Sequence, residues 1–432
     1  MATARELRQS IEGGAWDAAL EKLYGSRAGM LEFQRTRYAG AVAEFAAMYG
    51  ADRQVGIYSA PGRTEIGGNH TDHNHGKVMA GAVDLDVIAV VSQNGENIVR
   101  VKSKGFDKRD EVELSNLQPV AVEEGHSQSL IRGVAAGIAK QGGKVGGFDA
   151  YTTSQVLRGS GLSSSAAFEV VIGAIFNGEY NEGRFSAVEI AKISQYAENV
   201  YFGKPSGLMD QTACSVGSVI TIDFRDPADP IVEKVSFDLE KHGYCLCITD
   251  TKGSHASLTD EYAAIREEME AVAACFGRSV LRDVDEDTFL AGIAGVRAKL
   301  GDRAVLRALH FFADSRRAGA LCEAIREDRF EDFLRLIIEG GHSSFEYNQN
   351  AYSAKNPKEQ GVAVGLALSQ RVLNGCGAWR LQGGGFAGTI QAFVPARLLE
   401  EYRAAMDGVF GAGACYVLNV RNYGAIRVTP SL

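Results

Sequence analysis

One stretch constrains this chain more than any other: Ala60-Pro-Gly-Arg-Thr-Glu-Ile-Gly-Gly-Asn-His-Thr-Asp-His-Asn-His-Gly-Lys77. A strand-like run, Val55 to Ser59, leads into it, and a mostly apolar run, Val78 to Val91, closes it. Both flanks read as buried strands. Between them Arg63, Asn69, His70, Asp72, His73 and Asn74 crowd together more donors and acceptors than a turn requires. Solvated loops are the ordinary home of such polarity. Here the buried flanks and the glycines at 62, 67, 68 and 76 instead suit a wall that grips a small polyhydroxylated molecule.

The rest of the chain must then supply a core large enough to hold that wall rigid. At 432 residues it has room for two or three domains at ~150 residues each. A composition 45% hydrophobic and 23% charged is that of a soluble globular protein. The net charge of -9 argues against a general nucleic-acid binder, which would carry a basic stripe. The seven cysteines, at 214, 245, 247, 275, 322, 376 and 415, are scattered and form no CxxC pair, which fits a reducing cytoplasm better than a disulfide framework. The N-terminus shows no signal-peptide pattern, and no run of about 18 apolar residues predicts a membrane span.

Along the chain, residues 1–50 read as a helical extension. Residues 51–228 mix strands (55–60, 83–93, 97–103, 147–154) with helices (127–141, 163–178, 186–202) and end in a β-rich stretch, 214–224. Asp226-Pro-Ala-Asp-Pro230 is the clearest break and sets the expected boundary. Residues 229–432 begin with strand 244–250. Helices follow at 257–276, 286–299, 303–328, 330–339 and 358–374, and then strands 378–382, 388–394, 415–421 and 423–429 around helix 396–410. Strands segregated against helices predict an α+β architecture.

Two loops bear on chemistry. Leu157-Arg-Gly-Ser-Gly-Leu-Ser-Ser-Ser-Ala-Ala167 joins a strand to a helix. Its glycines let the backbone approach a ligand, and the free N–H groups of the helix start favour an anion. One serine would cap that helix; Ser163, Ser164 and Ser165 together exceed what capping needs, so the loop reads as a nucleotide-phosphate cradle. No GxxxxGK[ST] loop is present. Gly383-Gly-Gly-Phe-Ala-Gly388 matches GxGxxG, but a strand follows it where a dinucleotide fold needs a helix. It is expected instead as a tight turn beside the site. Two acids, Glu198 on a helix and Asp210 after the small-residue segment Gly203 to Met209, are placed to act on that cradle; a carboxylate such as Glu198 suits Mg²⁺ alongside phosphates.

Taken together, these motifs resemble the galactokinases of the GHMP small-molecule kinase superfamily over roughly residues 30–430. The sugar signature corresponds to Ala60–Val78, the phosphate loop to Gly159–Ala166, the glycine-rich third motif to Gly383–Gly388, and the catalytic-aspartate segment to Gly207-Leu-Met-Asp-Gln211. Thr259-Asp-Glu-Tyr262 resembles the segment whose tyrosine touches the sugar. The resemblance implies a two-domain fold, with a mixed-sheet N-terminal domain and a helix-rich α+β C-terminal domain. It also implies ATP-dependent phosphorylation of the C1 hydroxyl of galactose. Asp210 would take or orient the hydroxyl proton, and Arg63 would hold Asp210 ionised. Asn69, His70, Thr71, Asp72 and Tyr262 would bind the sugar. Gly159, Ser160, Gly161, Leu162, Ser163, Ser164 and Ser165 would wrap the ATP phosphates, with Ser103 a further nucleotide contact. A serine of that set, Ser165, and Glu198 would hold Mg²⁺.

Two departures stand out. The family usually carries glutamate where this chain has Asn69, and a Ser-Cys-Pro-Glu-Leu-Asp-like segment where it has Ser353 to Gln360. Asn69 is therefore expected to relax selectivity at the sugar's C6, to the point of accepting galacturonate. Two other readings are a metal-dependent hydrolase built on His70, Asp72, His73 and His75 and a catalytically silent sugar sensor. The intact Arg63, Asp210, Glu198 and serine loop favour the enzyme.

Overall fold

The computed structural model describes residues 2–156, 161–204, 206–253 and 258–432. Its backbone is organised by one long hairpin, Gln54–Gly67 paired antiparallel with Lys77–Gln93. The first of these strands does not stop at Ser59, where the apolar run ends, but continues through Arg63 and Glu65. Every residue from Val55 to Gly67 is buried, so this stretch is extended and packed on both faces although its second half is polar in sequence. Its register shifts between Pro61 and Arg63 and again between Glu65 and Gly67. Irregularities of this kind bend a strand and re-aim its side chains, and here they turn Arg63 toward the site.

The hairpin anchors a nine-stranded sheet. The second long strand pairs with Val219–Asp223 along its first half and with Phe148–Ser154 along its second, so one strand serves two branches. Ile98–Ser103 runs parallel to Phe148–Ser154. Period-two alternation sends neighbouring residues to opposite faces. Ile57, Ile88 and Val90 face a cluster formed with Leu20, Tyr38 and Phe45 of the first three helices. Tyr58, Ala89 and Val91 face the helices Ser127–Lys140, Ser164–Tyr180 and Ala187–Tyr196. Thus residues 1–50 cover one face of the sheet. They are fixed there by a buried knot on Asp86, which accepts from Tyr24 (2.5 Å), Arg37 (2.7 Å), Arg421 (2.8 Å) and Ser59.

A second, four-stranded antiparallel sheet has the order Ala378–Leu381, Thr389–Pro395, Tyr244–Asp250, Cys415–Leu418. Leu246 and Ile248 join the main core, whereas Cys247 between them joins the cluster under helices Gly361–Leu373 and Leu399–Phe410. The Asp226–Pro230 break is the turn between the paired strands Val219–Asp223 and Ile231–Val235 of the first sheet, and Ile426–Val428 returns to that sheet beside the long hairpin.

Several elements differ from the sequence reading. The stretch 214–224, expected as β-rich, begins inside a helix, Met209–Val216, and only Val219–Asp223 is strand; small polar residues hid the helix. The helix expected over 186–202 changes after Tyr196 into a π-helical turn, Ala197–Phe202, which carries Glu198. Such turns often lie at functional sites. The short strands Asp110–Glu113 and Ile231–Val235 escaped notice because each is mostly charged or exposed. No helix of the described residues is long and apolar enough to cross a membrane.

Candidate active site

Arg63 and Asp210, 147 positions apart in sequence, meet as a partly buried ion pair. Arg63 Nε donates to Asp210 Oδ1 and Nη2 to Oδ2, each at 2.7 Å, the bidentate fork that a lysine cannot make. The third guanidinium nitrogen reaches the Gly161 carbonyl. Asp210 sits in the first turn of Met209–Val216, where the helix end favours an anion. Ser163 Oγ donates to its Oδ2 at 2.7 Å. Burial pushes the Asp210 carboxyl up, but the Arg63 guanidinium and the Ser163 hydroxyl outweigh it and hold the pKa below the ordinary value. It is an ionised, weakly basic carboxylate.

The serine loop delivers these partners. Ser163 has a left-handed backbone (φ 58) at the start of helix Ser164–Tyr180, and its side chain makes no cap hydrogen bond. Its hydroxyl is spent on Asp210 instead, so this serine does not have the capping role that its position alone suggests. Gly161 (φ 68) must be glycine, because a Cβ there would lie 2.6 Å from Thr389 Oγ1. Gly159 and Ser160 lie outside the described residues. Ser103 ends its strand, where its hydroxyl accepts from that of Thr152 at 2.9 Å.

At the second residue of the helix, Ser165 Oγ donates to Glu198 Oε1 at 3.1 Å. Glu198 also accepts from Lys204 Nζ at 2.9 Å and from Gln211 Nε2 at 2.7 Å. Gln211 Nε2 reaches Glu169 as well, at 3.1 Å. Burial, with the Glu198 charge adding to it, raises the Glu169 pKa well above its ordinary value. Glu169 Oε1 and Gln211 Oε1 have no hydrogen-bond partner among the described residues. Sequence reasoning gave neither residue a role. The available signal was position: Glu169 lies four residues after Ser165 on one helical face, and Gln211 follows Asp210 directly.

The sugar-signature residues gather around the glycine loop. Three successive carbonyls, Gly383, Gly384 and Gly385, accept from Asn69 Nδ2 (2.8 Å), His70 Nε2 (2.9 Å) and Tyr262 Oη (3.0 Å). That explains why a GxGxxG match sits far from any dinucleotide fold. Tyr262 stands edge-on to Phe386, and Ser353, at the start of the divergent 353–360 segment, bonds its neighbour Glu261 at 2.7 Å. His70 is held by burial below its ordinary pKa and Asp72 above its own. Asp72 crowds Gly207, where a Cβ would lie 2.2 Å from Oδ2; the loop before Asp210 therefore closes directly on the sugar signature. The Thr71 hydroxyl lies within hydrogen-bond distance of Gly68 O and Lys77 O, inside its own turn.

Asn69 is fully buried. Its Nδ2 also donates to Glu65 Oε1 at 2.8 Å, and its Oδ1 accepts from Asn350 at 2.9 Å. Its backbone N–H donates to Asp314 and its carbonyl accepts from His310. Glu65, two residues on from Arg63 in the regular stretch between the two register shifts, is raised by burial to a pKa of about 7 despite Arg380 and Asn69 beside it. Among the described residues no three of His, Cys, Asp and Glu are grouped to hold a metal, so the His70, Asp72, His73, His75 set is not assembled as a metal centre.

An ionised aspartate clamped by an arginine, beside a serine-lined helix start between two sheets, together define a small-molecule kinase of the GHMP type. The family model "GHMP kinases N terminal domain" matches residues 129–218. The crystal structure of a mevalonate kinase superposes with a TM-score of 0.59 at 14% identity, covering 85% of this chain and 99% of that one. Within that class the chain belongs to the galactokinase family. The model "Galactokinase galactose-binding signature" matches residues 43–93. A galactokinase of Streptomyces coelicolor is 32% identical over 380 residues, 87% of this chain and 93% of its own length. The structure of Lactococcus lactis galactokinase complexed with galactose shares the fold with a TM-score of 0.76 at 20% identity, over 91% of this chain and 100% of that one.

Proposed function

We propose that this protein transfers the terminal phosphoryl group of ATP to the C1 hydroxyl of galactose, giving ADP and galactose 1-phosphate. The Arg63–Asp210–Ser163 set carries the reading. Asp210, kept ionised, accepts the hydrogen bond of the attacking hydroxyl and fixes its direction. A depressed pKa makes it a poor base, which suits a loose transition state in which positioning and charge stabilisation do most of the catalysis. Arg63 places fixed positive charge beside the transferring group. The N–H groups at the start of helix Ser164–Tyr180 hold phosphate oxygens.

Mg²⁺ fits the oxygens that face this cradle. The Ser165 hydroxyl and Glu198 carboxylate are hard donors 3.1 Å apart, and this ion takes one or two carboxylates beside substrate phosphates. When bound it neutralises phosphate charge. Gln211, held in turn by Glu169, keeps Glu198 oriented. On the sugar side, His70, Asp72 and Tyr262 are the contacts we favour. Asn69 is better explained as the anchor that ties the signature to Glu65, Asn350 and the glycine loop, because its side-chain atoms are spent on the protein. The seven free cysteines support a cytoplasmic location.

The test is ADP release with ATP and a panel of sugars. Galactose is expected to be the preferred acceptor. Asp210→Ala is expected to abolish transfer while nucleotide still binds; near-normal turnover in that variant refutes the mechanism, and no turnover with any sugar by the intact protein refutes the activity.

A further inference from the structure

The mechanism above leaves Lys204 without a role, although its side chain enters the site. Its ammonium lies 2.9 Å from Glu198 Oε1, the same oxygen that the Ser165 hydroxyl reaches at 3.1 Å. The backbone N–H of Lys204 bonds the Glu198 carbonyl at 3.2 Å, so the turn itself holds this lysine over that glutamate. The Lys204 side chain is 60% exposed and that of Glu198 only 2%. The ammonium therefore stands at the mouth of the cleft, on the rim of the serine loop, with Asp210 also near enough to feel its charge.

A buried carboxylate is costly unless paired. A carboxylate that holds a divalent cation in the ATP-loaded protein needs a partner when cation and nucleotide are absent, and Lys204 supplies one. When the cation takes Glu198, the ammonium is displaced. It sits on a flexible four-carbon stem at the rim of a phosphate cradle, where a compact point charge bonds phosphate oxygens well. We infer that Lys204 is an exchanging counter-ion: it pairs with Glu198 in the nucleotide-free protein and with the phosphate oxygens of ATP in the loaded one. The alternative, an ordinary exposed ion pair, would contribute almost nothing to either state.

The inference rests on Glu198 as metal ligand, so the experiment separates the two. Mn²⁺ alone is titrated into the nucleotide-free protein by electron paramagnetic resonance, and a non-hydrolysable ATP analogue with Mg²⁺ is titrated by calorimetry, on wild type, Lys204→Met, Lys204→Arg and Glu198→Gln. Lys204→Met should tighten Mn²⁺ binding by about threefold, since a weak competing pair is removed. It should weaken the analogue by about tenfold, one charge-assisted hydrogen bond at an exposed site. Lys204→Arg should retain most of the analogue affinity. The two effects have opposite signs, which mere damage to the loop would not produce. If Lys204→Met leaves both affinities unchanged, or weakens both, the inference is overturned while loss of Mn²⁺ binding in Glu198→Gln leaves the metal site standing. If Glu198→Gln binds Mn²⁺ as wild type does, the metal assignment itself falls and the inference with it.

Discussion

Arg63 gives the sharpest prediction, because one side chain sets both the charge state of Asp210 and the field at the reacting group. Arg63→Ala removes two hydrogen bonds of 2.7 Å to Asp210 and the one to Gly161. Removing one partner of a buried pair costs about 3–5 kcal/mol. Asp210 is 28% exposed and keeps Ser163, so water and that hydroxyl recover part of it, leaving a loss of about 2–3 kcal/mol in stability. The loss of a preorganised donor at a charged transition state is expected to lower kcat by about 10²–10³-fold. With Arg63 gone, burial is opposed only by the Ser163 hydrogen bond and the Lys204 charge, so the Asp210 pKa rises and the acid limb of the kcat/KM profile moves toward neutral pH. Arg63→Lys places one point charge where a fork had met two oxygens and a carbonyl, and should recover only part of the rate. Steady-state ADP release from pH 5 to 9, with thermal melts in parallel, reads all three effects. An Arg63→Lys enzyme within about twofold of wild type, a margin too small for a lost charge-assisted hydrogen bond, would refute the fork argument. An unmoved acid limb in Arg63→Ala would show that Asp210 does not set that limb.

Three further outcomes are expected. Asn69→Glu puts a second carboxylate beside Glu65 and against the Gly383 carbonyl, so it should lower the melting temperature and weaken galactose binding without changing the ranking of C6-modified sugars; the double variant Glu65→Asn/Asn69→Glu should restore much of both, and a selective change in the C6 ranking would return residue 69 to the sugar pocket. Glu65 is raised from 4.5 to about 7 in the folded protein, so its contribution is present in full below about pH 4.5 and is lost as the pH rises through about 7; Glu65→Gln should flatten that part of the pH–stability curve, and an unchanged curve refutes the raised pKa. Asp86→Asn leaves the buried guanidiniums of Arg37 and Arg421 short of their counter-charge and should cost about 3–5 kcal/mol in urea unfolding, with a loss under about 1 kcal/mol contradicting the knot as the lock on residues 1–50.

The residues that were legible without the structure are those whose meaning is local. A serine run at a helix start after glycines, an acid after a small-residue segment, and a polar signature between apolar strands depend on types and spacings within about ten positions, and local backbone rules act over that range. They marked the serine loop, Asp210, Arg63 and the glycine turn. They did not reveal that Ser163 would forgo its cap to bond Asp210, because that choice depends on an acid 47 positions away.

The tertiary structure alone decided the pairings. Nothing in the spacing of residues 65 and 69 shows that one holds the other, or that Asn69 is consumed by Asn350 and Gly383, 281 and 314 positions away. The sequence reading placed Asn69 toward C6 by analogy with the family's glutamate, and spacing alone gave no sign that its side chain bonds Glu65, Asn350 and the Gly383 carbonyl. Glu169, Gln211 and Lys204 acquire meaning only where helix, π-turn and loop converge on Glu198. The sequence by itself settled which chemistry is present, since functional groups are carried by residue types. Only the fold settled which oxygen faces which proton and which carboxylate is charged, because burial and distance, unlike composition, are properties of the packed chain.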